Sequence, residues 1–152
     1  DTTRFDRDLE ELKTQKNVKV TFPDEKNKQV FIVSLKVEDG LYKDHWFRFK
    51  FEIPDQWPYE QPKVRIVDKI WHPDIGLVTD ESIENGIVSV STLEQYYKAT
   101  VTLVLIIESI KFVLVNPNPQ DPQNIETSSE MERNYDEFKA KVQSYLEQME
   151  QI

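Results

Sequence analysis

In the stretch Trp46 to Ile53, "WFRFKFEI", Phe47, Phe49, Phe51 and Ile53 alternate with Arg48, Lys50 and Glu52. A period of two belongs to a β-strand, whose successive side chains point to opposite faces. Three phenylalanines on one face cannot be left in water, so the chain must fold a second layer over this strand. Three further segments fit the same sheet. Residues 18–22 ("VKVTF") and 63–67 ("KVRIV") alternate, and residues 29–37 ("QVFIVSLKV") are mostly β-branched or apolar. Pro23-Asp24, Glu38-Asp39-Gly40 and Pro54-Asp55 break the chain between them. Short connections between consecutive strands predict a four-stranded antiparallel meander with one buried face.

The covering layer comes from helices. Asp1-Thr2-Thr3 marks a helix start, and Phe5, Leu9 and Leu12 give it an apolar stripe among the solvated charges Arg4, Arg7, Glu10, Glu11 and Lys13. Val101 to Val115 ("VTLVLIIESIKFVLV") is apolar nearly all round and predicts a buried central helix. Asn116-Pro117-Asn118-Pro119 stops it, because proline lacks a donor and clashes with the preceding turn. Met131, Tyr135, Phe138, Val142, Tyr145, Leu146 and Met149 predict one or two amphipathic helices over residues 130–152. Between sheet and central helix, residues 69–100 have no periodic pattern and carry an acidic patch at Asp80, Glu81 and Glu84. Irregular stretches of that length in compact domains are usually functional or disordered. There are no repeats and no low-complexity linker. The order predicts one α+β domain over residues 1–152.

The charge balance narrows the partners. With 19 basic and 28 acidic residues, the 152-residue chain has a formal net charge of −9. That disfavours nucleic acid and anionic membranes as partners, since both need a basic surface. No apolar run reaches the ~20 residues of a membrane span, and no segment looks like a signal peptide. The expectation is a soluble protein of the cytoplasm, the nucleus or both. The chain contains no cysteine, which rules out disulfides and thiolate metal sites. No metal or other cofactor is expected. The chain opens at Asp1 without an initiator Met, which leaves room for an N-terminal extension.

Within the irregular region, Asn85-Gly86-Ile87-Val88-Ser89-Val90-Ser91-Thr92-Leu93 has the form of an active-site segment: a tight turn, an apolar run and one small hydroxyl in the middle. Four ordered stretches, this one included, resemble the ubiquitin-conjugating (UBC) family. Trp57-Pro58-Tyr59-Glu60-Gln61-Pro62 resembles its Tyr-Pro-Phe-x-Pro-Pro turn. Lys69-Ile70-Trp71-His72-Pro73-Asp74-Ile75 resembles its Lys-Ile-Tyr-His-Pro-Asn-Ile segment. Asn85-Gly86-Ile87-Val88-Ser89 resembles the Asn-Gly-x-Ile-Cys stretch that ends on the catalytic cysteine. Asn116 to Asn124 resembles Asn-Pro-Asn-Pro-x-Asp-Pro-Leu-Asn. The turn Val37-Glu38-Asp39-Gly40-Leu41-Tyr42 is similar to that of the branch carrying the neddylation modifier.

This resemblance implies a UBC-like fold and a thioester mechanism. A cysteine accepts ubiquitin or a ubiquitin-like modifier from an activating enzyme, and a substrate lysine then attacks. Ser89 stands at the cysteine position and Asp74 at that of an asparagine which helps organise the site. Asp121 matches the acidic residue near the lysine entrance. His72, Pro73, Asn85 and Gly86 support the site. Arg4 and Arg7 of the first helix, with Tyr59, Lys98 and Ala99 of two loops, match surfaces that dock the activating enzyme and a ligase.

The departures matter chemically. A thiol ionises near pH 8.5, whereas a serine hydroxyl needs an adjacent base to act as a nucleophile. Asp74 can only accept hydrogen bonds when ionised, where an amide could also donate to a developing oxyanion; its other reading is a loop cap. Tyr97-Lys98-Ala99 replaces the frequent Trp-Ser-Pro, and "GLVTDESIENG" lengthens the segment before Ser89. Three accounts follow. The chain is a conjugating enzyme with serine in place of its cysteine, an inactive variant acting as a binding partner or scaffold beside an active family member, or an unrelated α+β interaction domain.

Overall fold

The computed structural model describes residues 3–78, 86–120 and 122–149. Helix α1 spans Arg4–Lys13, and Thr3 caps it by accepting the amide N–H of Asp6 at 3.0 Å. Strands β1 (Val18–Thr21), β2 (Val30–Lys36), β3 (Trp46–Glu52) and β4 (Lys63–Ile66) form one antiparallel sheet in chain order. Within β3, Phe47, Phe49 and Phe51 lie opposite Leu35, Val33 and Phe31 of β2. All six are fully buried. The Phe31 and Phe51 rings stack with centroids 5.4 Å apart, and each such pair adds about 1 kcal/mol beyond its burial.

Helix α2, Leu103–Val115, starts at Thr102, whose hydroxyl accepts the Leu105 N–H. Leu103, Ile106, Ile107, Ile110 and Leu114 join the sheet's inner face in one core. The expectation of a helix buried all round needs correction here: Leu105 and Phe112 remain 48% and 65% exposed. The core accepts one face of α2, and the bare face borders the groove described below. The helix ends as expected, with the Asn116 N–H bonded to the Phe112 carbonyl before Pro117.

The C-terminal helical region is two helices, the first starting at Ile125 rather than Glu130. Helix α3 (Ile125–Arg133) and α4 (Tyr135–Glu147) meet at Asn134, whose side chain caps α4 through the Glu137 N–H. Phe138, Val142 and Leu146 of α4 close the core. Trp71 ties this end to the middle of the chain, because its indole N–H donates to Glu130 at 2.9 Å and Glu130 also pairs with Lys141.

Candidate functional site

A backbone frame fixes the segment that ends at Ser89. The Ile66 N–H donates to the Gly86 carbonyl at 2.9 Å, and the Gly76 N–H donates to that of Ile87 at 2.7 Å. Bridges pair Ile87 with Arg65 and Val88 with Ile75. Gly86 has φ +69°, and a Cβ there would lie 2.4 Å from the Ile66 carbonyl oxygen. Only glycine fits that approach. The frame delivers Ser89 to the turn at residues 72–75, where its N–H donates to the Asp74 carbonyl at 3.0 Å. A short 3₁₀ turn, Ser91–Leu93, then doubles the chain back. It brings Glu94 to Ser89, whose hydroxyl donates to Glu94 Oε1 at 2.8 Å.

His72 is fully buried, with both ring nitrogens engaged. Nε2–H donates to the Val113 carbonyl at 2.6 Å, and Nδ1 accepts the Asp74 N–H at 3.0 Å. Burial lowers its pKa to about 4. The ring is therefore neutral near pH 7, and the 3.7 Å approach of Nδ1 to the Asp74 carboxylate is not an ion pair. His72 is a strut and not a base for Ser89. Asp74 Oδ2 accepts the Asn118 N–H at 2.9 Å, so this carboxylate caps the Asn-Pro-Asn-Pro turn. Burial, against that hydrogen bond and with a smaller contribution from the neighbouring Glu94 charge, raises its pKa to about 6. Pro73 holds the same turn through its carbonyl, which accepts the Gln123 and Asn124 N–H groups at 2.8 and 3.1 Å.

Ser89 opens onto a groove of about 470 Å³ whose walls include Asp74, Glu94, Glu108, Phe112 and Asn118. The bare side of α2 forms one wall. The groove thus joins an apolar edge to three carboxylates around a half-buried hydroxyl, with no histidine among its lining residues. Periodicity did not single out Glu94 or Glu108; they become neighbours of Ser89 only through the 3₁₀ turn and the packing of α2. Asn85, Asp121 and residues 79–85 of the acidic insertion lie outside the described residues.

A second surface gathers the predicted docking residues, with one correction. Arg4, expected to be solvated, is half-buried and engages its guanidinium within the molecule. Its guanidinium bonds the Ala99 and Val101 carbonyls at 2.7 and 2.8 Å and the buried Asp8 carboxylate at 2.7 Å. Asp8 also accepts the Trp57 indole N–H at 3.2 Å. The cause is a loop whose free carbonyls need donors at the foot of α1. Arg7 is exposed, as are Lys98 and Tyr59, the latter by 83%. Tyr97 locks the two loops by donating its hydroxyl to the Pro58 carbonyl at 2.5 Å. Tyr59, Lys98, the half-buried Ala99 and the N-terminal end of α1 are thereby held on one connected scaffold. Among the described residues, no His, Asp and Glu cluster could hold a metal ion, and no helix is long and apolar enough to cross a membrane.

Comparison with known proteins agrees with this arrangement. A family model described as ubiquitin-conjugating enzyme matches residues 4–146. The NEDD8-conjugating enzyme UBC12 of Yarrowia lipolytica is 30% identical over 139 residues, covering 91% of this chain and 74% of that protein. The NEDD8-conjugating enzyme ubc12 of Schizosaccharomyces pombe is 26% identical over 143 residues, covering 94% and 77%. Among solved structures, Ubc12 of S. cerevisiae superposes with a TM-score of 0.77 at 26% identity, over 92% of this chain and 75% of that one. A ubiquitin-conjugating E2 domain from Toxoplasma gondii reaches 0.80 at 26% identity, over 94% and 96%.

Proposed function

The chain belongs to the ubiquitin-conjugating enzyme family, and from that premise we propose that it is a conjugating protein of the NEDD8 type, in which position 89 receives the modifier's C-terminus from an activating enzyme and presents it to a substrate lysine. The observation that carries this is the placement of Ser89. Its backbone is bonded to the Asp74 carbonyl, its side chain faces the groove, and the glycine turn before it admits no other residue. The NEDD8 assignment is supported by the names of the relatives and by the turn at residues 37–42.

Each residue then has a part. Ser89 is the acceptor position, and as a hydroxyl it gives an oxyester where a thiol would give a thioester. Gly86 forms the turn that aims it, and Asn85 is assigned a supporting part by its motif. His72 and Pro73 hold the floor of the site. Asp74, protonated in part near its pKa of about 6, can donate to an oxyanion only in that fraction. Asp121 is the acidic residue of the lysine entrance. Arg7 on α1 faces the activating enzyme, and Tyr59, Lys98 and Ala99 face a ligase, the exposed tyrosine serving as an aromatic anchor. The site of action is the cytoplasm or nucleus.

One observation favours a second reading, a binding partner without chemistry: no histidine stands beside the Ser89 hydroxyl, since His72 is neutral and fully engaged, and the hydroxyl's partner is a carboxylate, Glu94. Competition tests the NEDD8 assignment. The chain as it stands is added to the loading of a NEDD8-conjugating enzyme by the NEDD8-activating enzyme, and in parallel to the loading of a ubiquitin-conjugating enzyme by the ubiquitin-activating enzyme. Inhibition of the first alone is expected. Inhibition of the second alone, or of neither, overturns the assignment.

A further inference from the structure

We propose that Glu94 is a catalytic residue of the transfer step, the group that takes the proton of the incoming lysine amine and returns it to the side chain at position 89. The proposal rests on the conjugation reading of Ser89 and deepens it.

In the free chain Glu94 Oε1 accepts the hydrogen of the Ser89 side chain at 2.8 Å. Acylation replaces that hydrogen with the modifier's acyl group. The carboxylate then loses its donor while still lying beside the atom that carries the reacting carbonyl. An attacking nitrogen must come to roughly 3–3.5 Å of that carbonyl carbon, within hydrogen-bond reach of the vacated oxygen. The backbone that carries Glu94 is held on both sides. Buried Leu93 bonds the Val90 carbonyl at 3.0 Å, and Tyr97, anchored on Pro58, follows three residues after Glu94. Glu94 itself is exposed, so an amine from solvent can reach it.

The step balances. The lysine ammonium releases one proton to solvent, and the resulting amine nitrogen attacks the carbonyl carbon. As the N–C bond forms, Glu94 takes a proton from the nitrogen. The bond from the carbonyl carbon to the side-chain oxygen, or to sulfur where a thiol stands at position 89, then breaks. Its electron pair goes to that atom, which recovers the proton from Glu94. The products are an isopeptide amide and the free side chain, hydrogen-bonded to Glu94 as at the start.

This arrangement has opposite effects on two reactions of Ser89→Cys. A carboxylate beside a thiol disfavours the thiolate, so Glu94 should slow attack by the thiol while speeding attack by the amine. Since the chain has no cysteine of its own, alkylation by iodoacetamide reports that single thiol. The experiment compares Ser89→Cys with Ser89→Cys/Glu94→Gln and Ser89→Cys/Glu94→Asp. It measures alkylation at pH 7, and single-turnover discharge of a preloaded NEDD8 adduct to free lysine. Glu94→Gln should raise alkylation about two- to fivefold. The same change should lower discharge by about tenfold or more, with Glu94→Asp in between. Discharge within about twofold of Ser89→Cys overturns the proposal, as does a fall in both reactions together, which would indicate a distorted segment. If Ser89→Cys alkylates normally but accepts no modifier, the conjugation reading fails and the Glu94 role with it. Normal loading with unchanged discharge overturns the Glu94 role alone.

Discussion

The backbone N–H of Asp74 donates to Nδ1 of His72 at 3.0 Å. This one bond fixes the imidazole tautomer and leaves Nε2–H to the Val113 carbonyl of α2, while the Asp74 Oδ2 that lies 3.7 Å from Nδ1 accepts the Asn118 N–H. The two side chains carry opposite linkages to pH. His72, lowered to about 4, stays unprotonated when folded where the unfolded chain binds a proton, so it favours folding increasingly as pH rises from about 4 to 6.5. Asp74, raised to about 6, keeps a proton when folded that the unfolded chain has released. Its contribution is largest below about 3.8 and is lost as pH rises through about 6.

Asp74→Asn should therefore separate the two. The amide keeps an oxygen for the Asn118 N–H and removes the buried charge. In urea unfolding, the variant's stability relative to the parent should grow by roughly 2–3 kcal/mol between pH 4 and pH 7. Taking the difference cancels the other titrating groups. A pH-independent difference would contradict the buried, raised carboxyl.

Arg4 and Arg7 should part company. Arg4→Ala leaves two loop carbonyls without their donor and the buried Asp8 carboxylate with the Trp57 indole N–H but no countercharge from Arg4, which should destabilise the fold by about 2–4 kcal/mol. Arg7→Ala, on the exposed side of α1, should stay within about 0.5 kcal/mol. Chemical unfolding of both variants checks this, and equal effects would undo the distinction between strut and docking residue.

Gly86→Ala should be among the most damaging single-methyl additions in the chain. The added carbon would meet the Ile66 carbonyl at 2.4 Å on a backbone already at positive φ. The frame must open, at an expected cost of about 2–4 kcal/mol in unfolding experiments. A melting temperature equal to the parent's would show that the turn bends more freely than its geometry implies.

These cases also mark what can be read from the chain alone. The strands were legible because alternation is a local signal that the sheet obeys; Phe47, Phe49 and Phe51 announce their shared face without reference to any partner. The position of Ser89 was legible because a turn and its motif are contiguous. Arg4 was not: its acceptors lie 95 and 97 residues away, and nothing near Arg4 says that two carbonyls there lack donors. The bare edge of α2 was hidden for a related reason. An apolar helix reveals no preferred face by composition, and only the completed core shows that Leu105 and Phe112 are left out. Glu94 escaped notice because its contact with Ser89 depends on a single 3₁₀ turn inside a segment with no periodicity.

The central claim is that position 89 carries the modifier, and one gel tests it most directly. Ser89→Cys is incubated with the NEDD8-activating enzyme, ATP and NEDD8, beside Ser89→Ala, and resolved with and without reductant. The account predicts a single NEDD8 adduct of Ser89→Cys that disappears on reduction, and none on Ser89→Ala. The absence of any reducible adduct with NEDD8, ubiquitin or other modifiers and their activating enzymes, from a folded Ser89→Cys protein, would contradict it.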